Sequence, residues 1–337
     1  MRWSLAAVLL LAACGPAATG TPVDGAAGDA AVDSALPQPD GAVACDVPPT
    51  PAGADVELAP AFASAYAVYD LGPPPGVPSP LGGAVVKRGA PDTLLIAGAS
   101  ENANGAIYEI GVTRGACGHI IGWNGIATAV ANTPYVDANL VYAPGGLLLY
   151  TEWPQFLIDQ LPAGATAPTR TIDFTSIGMD ATGDSGPGGL GLVPPGLAAA
   201  GELRTVTWPL GRWHHVTTAP DGGLLAMTAV TNTVTLPNNP GGFAYVPAGS
   251  PGFATQSIIV AEWVAADPAM DRVAVYDADA QGDPVLGTRR EFLAKFPRPW
   301  GAYFEPETGD YLFLSWGNGA ADRVYVVQGF VPPPIVN

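Results

Sequence analysis

The residues best suited to ligand binding are tryptophans and carboxylates that follow short apolar stretches of the chain. Four such stretches end in an indole, a carboxylate or both, and these residues are Glu152, Trp153, Trp208, Glu262, Trp263 and Trp316. A fifth stretch ends in a serine followed by Glu101 and Asn102. Tryptophan is amphipathic and is enriched in recognition hot spots. If the fold brings these ends to one face, that face suits a carbohydrate, a peptide or a protein. The alternative is that each indole packs between neighbouring repeats.

A second candidate site is the loop Asp-Ala-Asp-Ala-Gln-Gly-Asp. Its carboxylates, Asp277, Asp279 and Asp283, alternate with other residues, and Gly282 is suited to a turn. This order resembles the start of a calcium loop, although the distal glutamate of an EF-hand is missing. A hairpin turn uses the same residue types without a metal. Calcium is therefore the one cofactor that the sequence suggests, and a second Gly/Asp loop contains Asp180 and Asp184.

No catalytic residue can be assigned from the sequence. His214 and His215 are adjacent, so on a strand they point to opposite faces, and His119 is the only other histidine. A metal or a general base needs convergent partners that the sequence does not show. Structural or surface histidines are the favoured interpretation. The chain also contains no Gly-x-Ser-x-Gly, Walker, His-Glu-x-x-His or Cys-x-x-Cys motif.

Internal repeats predict the elements that position these residues. Five segments share a small residue, a short alternating strand, a turn and an apolar strand, and they begin near Gly83, Ala138, Gly189, Gly242 and Gly301. Their spacings of 55, 51, 53 and 59 residues allow four short strands each. No long window shows helical periodicity, so the predicted class is all-β.

The two ends of the repeat region predict a closed ring. The last repeat has its third strand at 323–327 and no fourth, whereas the segment 63–69 is a strand without a repeat of its own. If the early strand completes the last repeat, the fold is a β-propeller of five four-stranded blades. Six blades would require dividing the stretch between Thr166 and Val234.

The N-terminus predicts export and lipid attachment. Arg2 precedes an apolar run that ends in Leu-Ala-Ala-Cys at Cys14, which resembles the lipobox of bacterial lipoproteins. The resemblance implies a signal peptide over 1–13, acyl chains on Cys14 that hold the protein on the membrane, and, without Asp at the next position, the outer membrane of the cell envelope. Residues 14–51 are rich in Ala, Gly, Asp and Pro and predict a flexible tether. The propeller domain is predicted over 52–337.

Charge and cysteine content limit the partners. The net charge of −17 argues against nucleic acid, because phosphate binding needs a cationic face. With Cys14 assigned to lipid, Cys45 and Cys117 remain, and in an exported protein they are candidates for a disulfide between the tether's end and the first repeat. The alternative is two separate thiols.

The repeats also resemble those of NHL-type and gluconolactonase-like (regucalcin-like) propellers. The pieces that carry the resemblance are Gly-Gly-Phe-Ala-Tyr-Val-Pro, which ends at Pro247, and the Asp-rich loop that begins at Asp277. In the lactonases one Glu, two Asn and one Asp hold a divalent metal in the channel. The position that would supply the glutamate reads Leu81-Gly82 here. Two functional hypotheses follow. The first is a lipid-anchored propeller that acts as a ligand- or protein-binding or scaffold module, and the alternative is a metal-dependent, lactonase-like hydrolase.

Overall fold

The computed structural model describes residues 45–264, 267–317 and 322–334. The lipobox, Cys14, the signal peptide and most of the predicted tether lie outside the described residues. In the described part, regular structure is almost entirely β-strand. No helix there is long and apolar enough to cross a membrane.

Five antiparallel sheets follow one another along the chain and form five blades. Blade 1 consists of β3 (Leu81–Val86), β4 (Thr93–Gly98), β5 (Ala106–Arg114) and β6 (Ile120–Asn132). Blade 2 consists of β7 (Val136–Tyr142), β8 (Leu148–Glu152), β9 (Leu157–Leu161) and β10 (Arg170–Asp173). Blade 3 consists of β11 (Gly186–Leu192), β12 (Leu203–Trp208), β13 (Arg212–Asp221) and β14 (Leu224–Thr235).

The last two blades recruit strands from the beginning of the domain. Blade 4 consists of β15 (Pro240–Val246), β16 (Ser257–Glu262), β17 (Arg272–Asp277) and β18 (Arg290–Lys295), with β1 (Glu57–Leu58) on its outer edge. Blade 5 consists of β19 (Pro299–Phe304), β20 (Tyr311–Ser315), β21 (Val324–Gln328) and, as its outer strand, β2 (Ala67–Gly72). Short 3-10 helices occupy connections at Pro144–Gly146, Phe174–Ile177, Pro268–Met270 and Leu286–Thr288.

The predicted ring closure is confirmed. β2 pairs antiparallel with β21, with Asp70 opposite Tyr325. The stretch between Thr166 and Val234 holds β10 and most of blade 3 rather than a sixth blade. β1 was not predicted, because two residues are too few to give a periodic pattern.

The hydrophobic core is divided among the seams between blades. Each seam has its own apolar cluster, such as the one between blades 3 and 4 that contains Val206, Trp213, Phe243 and Ile258. The second strand of each blade is packed against neighbours on both faces, which explains its continuous apolar sequence. The predicted disulfide between Cys45 and Cys117 is formed, with the two Cα atoms 5.2 Å apart.

The innermost strands meet around the axis, and this explains the small residue that begins each repeat. A Cβ atom at Gly301 would lie 2.5 Å from the carbonyl oxygen of Gly82, and one at Gly82 would lie 2.6 Å from the carbonyl oxygen of Asp137. Only glycine allows backbones to approach so closely. The axis therefore offers little room where these strands cross.

The side chain of Asn139 lies at the axis, between the inner strands. Its Nδ2 donates to the carbonyl oxygens of Phe243 and Ala302 at 3.3 and 2.9 Å. Its Oδ1 accepts the backbone N–H of Leu190 and of Phe243 at 3.1 and 3.2 Å. Asn139 thus joins blade 2 to blades 3, 4 and 5.

A wider bulge in β7 places Asn139 there. Between the pairs Val136–Glu152 and Leu140–Tyr150, β7 advances by four residues while β8 advances by two. At the same place in β3, β15 and β19, the inner strand advances by three residues while its partner strand advances by two. The additional residue bends the strand and turns its side chain toward the axis.

Candidate functional site: a tryptophan-rich face at one end of the axis

The inner strands begin, and the second strands end, at the same end of the propeller axis. This end carries the residues that the sequence singled out at the ends of apolar strands, together with Trp300 and Arg298, which it did not. We call this end the tryptophan face, and its residues are Trp153, Trp208, Trp263, Trp300 and Trp316, with Glu101, Asn102, Glu152, Glu262 and Arg298.

The five indoles form one continuous chain of ring contacts. The ring centroids of Trp153 and Trp208 are 5.7 Å apart, and those of Trp208 and Trp263 are 6.1 Å apart, both edge to face. Trp263 then contacts Trp300 and Trp316, each at 5.1 Å. Such edge-to-face pairs are favourable geometries for aromatic rings. The indoles therefore support each other across the axis and are not isolated wedges between blades.

The hydrogen bonds of the indoles divide them into two groups. Trp263 donates its Nε1–H to the carbonyl of Pro299 at 2.9 Å, and Trp300 donates to Asp137 Oδ1 at 2.8 Å. Trp123 and Trp213, which lie elsewhere, also have acceptors, the carbonyl of Leu71 and Asp283. In contrast, three partly exposed indoles of the tryptophan face have buried nitrogens without an acceptor in the described part of the chain: Trp153, Trp208 and Trp316.

Two carboxyl groups that interact with each other, Glu101 and Asp137, lie beside the indoles. Burial raises the pKa of Glu101 to about 8, although a hydrogen bond to Asp137 lowers it. Asp137 is completely buried, and burial together with the charge of Glu101 raises its pKa well above the usual range. The hydrogen bond between the two carboxyls lowers the pKa of Glu101 and raises that of Asp137, so Asp137 is the protonated group that donates to Glu101.

The other two glutamates of the face differ from each other. Burial, together with a hydrogen bond with Asp159, raises the pKa of Glu152 to about 8. Glu262 is fully buried but receives Arg289 at 2.5 and 3.0 Å and the hydroxyl of Tyr276 at 2.7 Å. Glu262 therefore serves as an internal ion pair, whereas Glu101 and Glu152 retain protons near neutral pH.

Arg298 adds a cation to the face. Its guanidinium carbon lies 4.5 Å from the ring centroid of Trp263, within the range of a cation–π interaction.

Backbone strain is concentrated at this end of the molecule. Among the residues that the structure describes, the non-glycine residues with positive φ all lie where inner strands begin or second strands end: Ala99, Glu101, Tyr135, Asn238, Asn239 and Arg298. This conformation is uncommon for residues with a Cβ and persists where the surrounding structure imposes it, often at functional sites. Its restriction to the tryptophan face distinguishes that face from the opposite end.

The sequence did not identify Trp300, Asp137 or Arg298. A signal was present, because Trp300 and Asp137 directly precede the small residue that begins their repeats, where the other blades have Gly82, Gly188 and Gly241. A bulky or charged residue in a column of glycines near the axis marks a special position. Arg298 had no such signal, because its role depends on the ring of Trp263 from another blade.

The residues at the axis do not make up the ligand set of a divalent metal. The second position of the inner strands provides only one carboxylate, Asp137, and its Oδ1 is taken by Trp300. Within the described ranges, no three His, Cys, Asp or Glu side chains are grouped to hold a metal ion. Glu101 and Asp137 would supply two of the three or more oxygen ligands that the hydrolase hypothesis requires.

The Asp-rich loop of blade 4 contacts blade 3. Asp283 accepts from Arg204 at 3.3 Å, Trp213 at 3.0 Å and His215 at 2.6 Å. Asp279 Oδ1 accepts the backbone N–H of Gln281 and of Asp283 itself, both at 2.9 Å.

Asp277, the third carboxylate of the Asp-rich loop, lies 3.7 Å from the guanidinium of Arg290. The three carboxylates thus have separate protein partners, and the loop acts as a turn and an interblade contact.

None of the three histidines belongs to the tryptophan face: His119 directly precedes β6 in blade 1, and His214 and His215 are adjacent in β13 of blade 3. His119 Nδ1 is 2.6 Å from Asp310, and His215 contacts Asp283. His214 is 2% exposed, and burial lowers its pKa to about 4. In the second Gly/Asp loop, Asp184 accepts from the hydroxyl of Thr207, and Asp180 caps the turn at Thr182.

Comparison with known proteins finds similar architecture only. No protein-family model and no curated protein sequence matches the chain. Among solved structures, a gluconolactonase from Xanthomonas campestris aligns with a TM-score of 0.45 at 11% identity, covering 87% of this chain and 99% of that one. A PQQ-bound aldose sugar dehydrogenase from Streptomyces coelicolor aligns with a TM-score of 0.43 at 12% identity, covering 85% and 98%. A luciferin-regenerating enzyme gives 0.44 at 11%, covering 86% and 96%.

At these identities and scores the likeness carries no information about the activity of this chain. Fold and site define its class as a five-bladed β-propeller. Its axis is closed by glycines and Asn139, and one of its ends is covered by contacting indoles.

Proposed function

We propose that this protein is a binding module whose tryptophan face recognises an uncharged, hydroxyl-rich ligand, a carbohydrate. The observation that carries the proposal is the set of three indole N–H groups without acceptors, all on this face. A buried donor without a partner costs about 1–3 kcal/mol, and native proteins contain few of them. A ligand with oxygen acceptors would recover that free energy once the partly exposed indoles turn and open their buried N–H groups to it.

The chemistry of the face supports this ligand class. Indoles offer apolar surface for the C–H groups of a sugar ring, and their N–H groups donate to its oxygens. Glu101 and Glu152, whose pKa values are raised to about 8, can both donate to and accept from hydroxyl groups near neutral pH. Such protonated carboxyls favour a neutral ligand over a cationic one.

We further propose that the propeller is exported and held at the bacterial envelope, at the outer membrane, by acyl chains on Cys14. Two or more chains give stable anchoring, and a tether of this length has a reach of roughly 30 Å. The disulfide at Cys45 fixes the start of the domain to blade 1. Metabolic labelling with palmitate tests the anchor, since Cys14→Ser should lose both the label and sedimentation with membranes. Label that persists in this variant contradicts the assignment.

A glycan array tests the binding function. The full chain with Cys14→Ser, which needs no detergent, is applied to immobilised neutral and acidic oligosaccharides. We expect binding to a neutral oligosaccharide, weakened at least tenfold when Trp208 and Trp316 are both changed to Phe. Trp123→Phe is the matched control, because this half-buried indole lies outside the face and should leave binding unchanged. Absence of glycan binding by the parent chain, or equal binding by the double variant, contradicts the proposal.

A hydrolase is the second candidate, and the interacting carboxyl pair of Glu101 and Asp137 favours it. Two carboxyls with separated proton affinities are an arrangement that acid–base catalysis uses. The test is hydrolysis of sugar lactones with and without added Ca²⁺ or Zn²⁺, together with elemental analysis of the purified protein. Turnover that Glu101→Gln abolishes would support the hydrolase. No turnover and no bound metal would remove it.

A further inference from the structure

A cavity lies at the other end of the axis, away from the tryptophan face. Its volume is 330 Å³, within the usual range for small-molecule sites. All five blades contribute to its wall, through residues at or beyond the ends of their inner strands, such as Val85, Tyr142, Leu192, Tyr245 and Tyr303. Asn139 forms its inner end.

The lining is aromatic and aliphatic and contains no charged residue, in a protein of net charge −17. Phe243, Phe304 and Leu190 also belong to it, together with prolines from three segments. No lining side chain has a buried polar atom without a partner among the described residues. The amide of Asn139 uses both its donor and its acceptor on backbone groups. A ligand therefore meets no polar group that demands a hydrogen bond.

The hydroxyl groups of the tyrosines in the cavity wall are hydrogen-bonded to backbone groups of the protein. Tyr245 donates to the carbonyl of Gly282 at 2.7 Å, and the hydroxyl of Tyr142 accepts the N–H of Arg88 at 3.3 Å. The hydroxyl of Tyr303 is hydrogen-bonded to the backbone of Val86. These tyrosines therefore present no hydroxyl group without a partner to a ligand in the cavity.

Two residues of the C-terminal segment complete the wall. Pro333 is partly buried and Pro334 is exposed, so this segment forms part of the rim. The volume of 330 Å³ is enough for a small molecule.

We infer that this axial cavity is a binding site for a small, neutral, largely apolar molecule of bicyclic or tricyclic size. The gain comes from transfer of apolar surface out of water onto the apolar wall of the cavity, and a charged molecule would lose hydration without finding a partner. The site is separate from the tryptophan face and does not depend on the carbohydrate proposal.

The test uses the neutral dye N-phenyl-1-naphthylamine, whose fluorescence rises in apolar surroundings. Titration of the full chain with Cys14→Ser is expected to give saturable binding of one dye per chain. Ala244→Trp places an indole in the cavity wall and should weaken binding at least tenfold. Ala294→Trp, at a similarly half-buried position on the outer strand of the same blade, should leave it unchanged.

Two further measurements separate the alternatives. Circular dichroism establishes that Ala244→Trp folds, and Val141→Trp fills the cavity from another blade if it does not. The Trp208→Phe, Trp316→Phe double variant should bind the dye like the parent chain. Non-saturable binding, dye binding that both filling variants retain, or dye binding that only the double variant loses would overturn the inference.

Discussion

Replacement of Asn139 by leucine tests whether one side chain holds the propeller together at its axis. Asn139 is 3% exposed and makes four hydrogen bonds, all to backbone groups of other blades. Leucine has nearly the same size but neither a donor nor an acceptor. Asn139→Leu therefore leaves the N–H groups of Leu190 and Phe243, and the carbonyls of Phe243 and Ala302, buried without this partner.

The expected loss follows from those groups. Each buried N–H left unpaired costs about 1–3 kcal/mol, so the two donors together cost about 2–6 kcal/mol. The carbonyls add less, because an under-satisfied carbonyl is better tolerated. The net stability of a domain is about 5–15 kcal/mol, so the variant should lose a large fraction of it.

Urea unfolding of the Cys14→Ser chain, followed by circular dichroism, measures this loss. Asn124→Ala is the matched control, because Asn124 is exposed on β6, and it should change the free energy of unfolding by less than about 0.5 kcal/mol. If Asn139→Leu costs no more than this control, the role assigned to the axial amide is wrong.

Asn139→Asp provides a second test, because the direction in which its unfolding free energy changes with pH can be predicted. Burial raises the pKa of a carboxyl at this position in the folded state above its unfolded value. The folded state then binds its proton more tightly, so the free energy of unfolding should fall as pH rises through the folded pKa. Stability that is independent of pH would show that water reaches the axis.

Three more predictions concern other parts of the molecule. Burial raises the pKa of both Glu101 and Glu152 to about 8, so their contribution to stability is present at acidic pH and lost as pH rises toward and through 8; melting temperatures at pH 5 and 8.5 should differ less in Glu101→Gln, Glu152→Gln than in the parent, and an unchanged difference would contradict the shifts. The disulfide between Cys45 and Cys117 closes a separation of 72 residues, so a double Cys→Ser change should destabilise the chain by about 4 kcal/mol in chemical denaturation, and no change would mean that it clips only a segment that unfolds on its own. Asp283→Asn keeps the shape of the interblade loop but removes the charge that faces Arg204 and His215, so the unfolding free energy should fall by about 3 kcal/mol, and a loss below 1 kcal/mol would show that the ion pair contributes little.

The ring of five blades was predictable because each blade repeats the same local pattern. Small residues begin the inner strands, since backbones meet at the axis, and continuous apolar residues form the second strands, since both faces are covered. The closing strand was also predictable, because a three-stranded last repeat and an unassigned early strand complement each other. Its bounds were shifted, at 67–72 instead of 63–69, because Phe62 and Tyr66 belong to the core between blades 4 and 5.

Less of the site could be predicted. The sequence places an indole or a carboxylate at the end of each second strand, but it cannot show that the indoles touch or that three of them lack acceptors. Asn139 gave no signal, because its function depends on one additional residue in a bulge. The Asp-rich loop resembles a calcium loop in sequence, because turns and calcium sites share residue types. The sequence could not show that the partners of Asp283 come from a different blade.

The most direct test of the tryptophan face is an NMR spectrum of indole N–H groups in the ¹⁵N-labelled chain. On addition of the best-binding oligosaccharide from the array, the Nε1–H resonances of Trp153, Trp208 and Trp316 should move downfield as their hydrogens gain acceptors. The resonances of Trp123 and Trp213, which already have acceptors, should stay in place. If the three unpaired indoles do not respond while the oligosaccharide is bound, the ligand is recognised elsewhere and the proposed function is wrong.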